Sequence, residues 1–268
     1  RAPYGELPDL SQADPERDCV FVWNGTTSGV RVPDGDWISD DRAGLTICDA
    51  TSGVLAHDMP WSKLDVVTYS WQKAMGGEAG FGMMLLGPRA AERLQSHTPP
   101  WPIPKLFRLA KGQKLIEGIF RGVTINTVSM LAIEDALDAL RWIESIGGGP
   151  GMIARAEANF AVVDDWVART SWVEFLAREP ATRSRSSLCL SITEDWFAAL
   201  EVAARWDIVG ALTKLLADEG AAFDIATHRA APPGLRIWGG GTVERSDLEK
   251  LMPWLDWAWT VIRAEHAI

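Results

Sequence analysis

Two short runs of β-branched and apolar residues constrain the fold more than any other part of the chain. Leu45-Thr46-Ile47-Cys48-Asp49 closes on a carboxylate. Asp65-Val66-Val67-Thr68-Tyr69-Ser70-Trp71-Gln72-Lys73 closes on a lysine, with Gly76 and Gly77 just beyond. Apolar runs of this length predict strands of a sheet covered on both faces, as in a mainly parallel α/β arrangement. Ligands of such sheets bind outside the carboxyl ends of the strands. Asp49 and Lys73, 73 − 49 = 24 residues apart, are therefore expected at one end of one sheet.

The 268 residues suffice for one large or two modest domains with a real core. Acidic residues number 36 against 26 basic ones, a formal net charge of −10. That balance argues against a general nucleic-acid binder and against docking on an anionic membrane surface. No signal peptide is read, and no apolar stretch reaches the roughly eighteen residues of a membrane span. Cys19, Cys48 and Cys189 are odd in number, far apart and without a C-x-x-C pair, which points to no metal site and to a reducing, cytoplasmic setting. Fourteen tryptophans follow no period and read as packing.

Along the chain, the pattern predicts a short helix near Ser11–Asp18 and a strand over Cys19–Val22 that runs into the turn Asn24–Gly29. A further strand is expected at Gly82–Leu86, then a helix from Pro88 through Gln95, with proline in its first turn. Four prolines between Pro99 and Pro104 impose an extended loop. Leu131, Ala132, Leu137, Leu140 and Ile143 recur at helical spacing and predict a long helix over Thr127–Ile146, which Gly147-Gly148-Gly149-Pro150-Gly151 breaks. The domain boundary is expected there: an α/β unit over residues 1–147, and a smaller α+β unit over residues 148–268. The second unit should contain a helix from about Met152 to Arg169, with strands at Val173–Leu176, Ser187–Ser191, Ala222–Ile225 and Leu235–Trp238. Helical structure is expected from Asp195 to Glu219, and a last helix opened by the capping box Ser246-Asp247-Leu248-Glu249 and kinked or split at Pro253.

A lysine amine is a poor nucleophile while protonated, so it needs partial desolvation or nearby positive charge. A lysine and an aspartate at neighbouring strand exits are the two charges that a pyridoxal phosphate site needs: one for a Schiff base, one to keep the pyridine nitrogen protonated. Gly76, Gly77, Gly80 and Gly82 permit close backbone approach. Thr26, Thr51, Ser52 and Gln72 are neutral donors suited to phosphate or phenolate oxygens. On pattern alone, a strand-end lysine followed by glycines is more often structural. The segment is not a Walker loop, because the lysine precedes its glycines.

Asn24-Gly25-Thr26-Thr27-Ser28-Gly29, Cys48-Asp49-Ala50-Thr51-Ser52, Tyr69 to Glu78, Asn126-Thr127 and Pro233-Gly234-Leu235-Arg236-Ile237-Trp238 occur in one order. In that order they resemble the phosphoserine aminotransferases, pyridoxal phosphate enzymes of the aspartate-aminotransferase fold type, from about Phe21 onward. The resemblance implies fold type I, with residues 1–147 as the carboxyl-terminal portion of the cofactor-binding large domain. It implies that Lys73 carries the cofactor and shuttles the Cα proton, and that Asp49 pairs with the ring nitrogen. Thr26 would contact the phenolic oxygen and Gln72 the cofactor phosphate. Asn126 and Thr127 would reach the partner's cofactor phosphate across a homodimer with shared sites. Arg236 would bind the substrate α-carboxylate, and His228 with Arg229 the substrate phosphate, although their spacing to Arg236 is one residue longer than in some relatives.

The implied substrates are glutamate and 3-phosphohydroxypyruvate. Family members extend further at the amino terminus. A glycine-containing phosphate loop, a ring-stacking aromatic and a second substrate arginine would therefore come from a companion segment. Two other readings remain open: another fold relative, of the alanine- or serine-glyoxylate type, or a truncated chain that keeps fold and dimer surface without catalysis. Several features have plain structural readings. His57 and His97 are lone histidines, Arg183-Ser184-Arg185-Ser186 reads as a solvated turn, Cys48 as a small buried residue, and Trp254, Trp257 and Trp259 as anchors of the last helix.

Overall fold

The β-branched runs assemble side by side. In the computed structural model, which describes residues 1–266, β1 (Cys19–Val22), β2 (Thr46–Asp49) and β3 (Val66–Ser70) are parallel, and β4 (Gly82–Leu86) returns antiparallel along β3. Val22 is in register with Asp49, and Asp49 with Thr68, so the three parallel strands exit together. At the opposite end the buried carboxylate of Asp65 accepts from the Thr46 N–H at 2.9 Å, from Arg42 at 3.1 Å and from Arg89 at 2.8 Å. Burial works to raise this carboxyl. The Thr46 N–H and the Arg42 guanidinium outweigh burial and hold it below the usual carboxylate range.

Trp23, Val32, Ile38, Val54, Met59 and Leu64 pack with Cys48, Ala50 and Val67 into the core of this sheet. Cover on both faces is only partial. Val20 and Val22 of β1 are exposed, as are Met83, Met84 and Leu85 of β4.

α1 (Pro88–Ser96) begins on its proline as the sequence predicts. The expected helix near Ser11–Asp18 is a single 3-10 turn over Leu10–Gln12, capped by Asp9, whose side chain accepts from the Ser11 N–H. β5 (Ala110–Lys111) and β6 (Lys114–Leu115) form a small hairpin that no periodicity announces. α2 (Met130–Ser145) starts later than expected because Ser129 caps it, so Asn126 and Thr127 lie before the helix rather than at its cap. Its buried positions are Ala132, Ala136 and Ile143, whereas Leu131, Leu137 and Leu140 stay exposed. Gly147 breaks the helix with a left-handed φ of 101°, open only to glycine at low cost. α3 (Gly148–Arg169) resumes at once, with the remaining glycines and Pro150 in its first turn.

Beyond α3, β7 (Val173–Phe175), β8 (Ser187–Ile192) and β9 (Gly234–Trp238) form an antiparallel sheet, followed in packing by α4 (Asp195–Ala198), α5 (Val202–Asp218) and α6 (Arg245–His266). Leu188, Leu190, Leu212, Leu216, Leu235 and Leu255 form the middle of that core. Ala222–Ile225 is not a strand. Asp224 takes a left-handed φ of 52°, and pairing with β9 is limited to the bridge between Ala226 and Leu235, with bonds from the Arg236 N–H to Ile225 O and from the Thr227 N–H to Gly234 O. α6 starts at Arg245, so Ser246 lies within its first turn rather than at the cap position, and Pro253 does not split it. Leu248, Met252, Leu255, Trp259 and Ile262 form its buried stripe. Trp254 and Trp257 fall off that stripe and are exposed, so of the three predicted anchors only Trp259 is one.

One carboxylate ties three elements together. Asp256 in α6 accepts the indole N–H of Trp166 (α3) at 3.0 Å and of Trp172, beside β7, at 2.9 Å. Replacing Asp256 with Ala strands two indole donors, at about 1–3 kcal/mol for each donor left unsatisfied. Urea denaturation of the Asp256→Ala protein should show a loss of that size. A loss below about 0.5 kcal/mol would mean that water replaces the carboxylate.

Candidate active site

The two sheets meet along a buried polar seam. Asn24 donates to the hydroxyls of Ser184 at 3.1 Å and Ser186 at 3.2 Å, and Ser186 donates to Ser52 O at 2.6 Å. Ser187 donates to Thr26 O at 3.2 Å. Arg183–Ser186 is thus no solvated turn: Ser184 and Ser186 are buried, because their hydroxyls satisfy the loop after β1 and the turn after β2. The Arg185 N–H donates to His57 Nε2 at 3.1 Å. Burial, with the Arg31 and Arg185 charges beside it, drives the His57 imidazole down to about 3.

The seam brings β9 across the exit of β3. Between them lies a cavity of about 480 Å³ whose wall includes Thr26, Gln72, Lys73, Ser187, Arg236 and Trp238. Alternation along β9 accounts for two of these. Leu235 and Ile237 enter the core, and Arg236 and Trp238 face the cavity. The Arg236 guanidinium lies 3.8 Å from the Asp224 carboxylate, and the Lys73 amine 5.8 Å from the centre of the Trp238 ring. Lys73 itself sits on a closed loop. The Gly76 N–H donates to Lys73 O and the Gly77 N–H to Trp71 O, both at 3.1 Å, and Trp71 stacks on Phe81 with centroids 5.0 Å apart.

Asp49 stands at the same end of the sheet, outside the lining of this cavity. The Thr51 N–H and hydroxyl donate to its Oδ1 at 2.9 and 2.6 Å. Its Oδ2 has no hydrogen-bond partner among the described residues and is free to accept a ring N–H. That free oxygen, the lysine at the same sheet end and the donors of Thr26 and Gln72 fit pyridoxal phosphate. Asn126, Thr127, His228 and Arg229 are exposed and do not line the cavity. Cys48 and Cys189 are inert: burial, and for Cys48 the adjacent Asp49 charge, pushes their thiols up to about 12 and about 11. Sequence reasoning gave no role to Ser187, Asp224 or Trp238. The period-2 pattern of Leu235–Trp238 was the one signal that could have found Trp238.

No family model matches the chain. A phosphoserine aminotransferase of Methanosarcina mazei is 52% identical over 262 residues, covering 98% of this chain and 68% of the relative. The chain belongs to the phosphoserine aminotransferase family. A solved phosphoserine aminotransferase from Bacillus circulans subsp. alkalophilus superposes with a TM-score of 0.75 at 18% identity, over 98% of this chain and 65% of that one. A pyridoxal-phosphate-bound phosphoserine aminotransferase from Trichomonas vaginalis superposes with a TM-score of 0.68 at 19% identity, over 88% and 59%. The chain thus spans about two thirds of the length of these family members, and its α/β architecture is theirs.

The seam makes stability depend on pH. The unfolded histidine takes a proton near pH 6.5 and the folded His57 only near 3, so the unfolded state binds more protons between these values. Stability should therefore fall as pH is lowered through that window. In His57→Gln, whose side-chain oxygen can still accept from Arg185, the decline between about pH 6.5 and 4.5 should flatten in urea titrations. An unchanged slope would remove His57 as its source.

Proposed function

We propose that this chain provides the lysine, the ring-facing carboxylate and the carboxylate-binding arginine of a phosphoserine aminotransferase, which moves an amino group between glutamate and 3-phosphohydroxypyruvate. The observation that carries this reading is the shared exit of Asp49 and Lys73 from one parallel sheet, with Arg236 on the wall of the lysine's cavity. When bound, pyridoxal phosphate draws electrons from the substrate α-carbon and makes its proton removable. Lys73 holds the cofactor through Nζ and, once free, takes and returns that proton. Asp49 Oδ2 accepts the ring N–H, with Thr51 fixing the carboxylate from the other side. Arg236 offers a planar fork to the α-carboxylate. Thr26 and Gln72 donate to the phenolic oxygen and the phosphate.

Asn126 and Thr127, exposed ahead of α2, suit contact with the cofactor phosphate of a second copy in a homodimer. His228 and Arg229, exposed between α5 and β9, suit the substrate phosphate there. The division into a cofactor-binding unit up to residue 147 and a small unit from 148 is part of the same reading, as is a companion segment supplying the rest of the site. A cytoplasmic setting fits an acidic chain in which, among the described residues, no helix is long and apolar enough to cross a membrane.

Borohydride reduction in the presence of pyridoxal phosphate, followed by peptide mapping, should place the label on Lys73 and on nothing in Lys73→Ala. A label on another lysine would overturn the reading. In the full enzyme, Asp49→Ala should lower turnover by about 10²–10³, as removal of a pre-placed charge does. Near-normal turnover would exclude Asp49 as the ring partner. Phosphoserine should serve as amino donor where serine does not, which separates this reading from the glyoxylate enzymes.

A further inference from the structure

We propose that Trp238 is a positioning residue for Lys73, its indole face being the seat the amine occupies whenever it is not bonded to cofactor. The role in the reaction rests on the aminotransferase reading above; the contact itself does not. Three observations meet here. The amine lies 5.8 Å from the ring centre, within the range of attraction between a cation and an indole face. Among the described residues, Lys73 Nζ makes no hydrogen bond and no ion pair. The two carboxylates of that cavity's wall are engaged elsewhere, Asp224 with Arg236 and Asp247 with Lys250. The ring is also held from behind: a Cβ on Gly240 would stand 2.5 Å from Trp238 Cζ2 and 2.7 Å from Cε2, so only glycine lets the indole lie where it does.

The chemistry suits a lysine that must leave and return. A carboxylate would hold the freed amine by a charged hydrogen bond and compete with its return. An indole attracts the same cation weakly and leaves every N–H unengaged. The period of β9 puts this ring and Arg236 on one wall, so the amine and the substrate carboxylate site are kept at a set separation by a single strand.

The test uses the cofactor-free chain. Trace acylation with acetic anhydride, read by mass spectrometry, gives the labelling rate of Lys73 relative to the exposed Lys111 of the β5–β6 hairpin. With the seat removed in Trp238→Leu, relative labelling of Lys73 should rise about two- to fivefold, the size of one such contact. Trp238→Phe keeps an aromatic face and should return most of the original rate. Gly240→Ala, which displaces the ring without touching it chemically, should behave like the Leu variant. Equal rates in the parent and Trp238→Leu, or a Phe variant indistinguishable from Leu, would overturn the assignment. Because these rates are read without cofactor, they stand or fall apart from the borohydride experiment.

Discussion

Parallel pairing of three short strands is the constraint on which the rest of the molecule depends. Because β1, β2 and β3 run the same way and in register, whatever follows each of them emerges at one end. A carboxylate and an amine 24 residues apart leave the sheet at the same end for that reason alone. The register is anchored from the other end by Asp65, which binds the β2 backbone and two guanidinium groups at once. Anchor and chemistry therefore occupy opposite ends of the same strands, and the charges that stabilise the sheet do not compete with those that serve the site.

The second requirement is to bring an arginine from the antiparallel sheet to that end. Direct apolar packing would suffice for proximity. Here the join is instead a set of short hydroxyl and amide bonds among Asn24, Ser52, Ser184 and Ser186. Such bonds are directional, so they specify orientation as well as contact. β9 is thereby held beside the exit of β3, and its alternating side chains send leucine and isoleucine into the core and place arginine and tryptophan on the wall shared with the lysine.

Much of this was legible in the residues. The strands with apolar, β-branched composition were read nearly to their ends, as were the helix beginning at Pro88 and the break at Gly147, since these rest on local chemistry. The misses have tertiary causes. Arg183–Ser186 looks like a surface turn because small hydroxyl residues are turn formers, and only the opposing Asn24 and Ser52 make burial affordable. Ala222–Ile225 has strand composition, but the left-handed turn at Asp224 interrupts it. Trp254 and Trp257 read as core until the stripe of α6 is drawn through Trp259. The amine and the carboxylate were visible from strand exits. The facing indole was visible only once β9 had been placed across them.

The apolar side chains left bare on β1 and β4 carry a consequence for handling the molecule. These are the two outer strands of their sheet, and each presents unpaired backbone groups beside valine, methionine or leucine. Margins of that kind are templates for strand addition by any extended chain nearby. Without cover on both sides, this polypeptide should be prone to self-association at high concentration, and a covering chain would act as a solubilising chaperone for it.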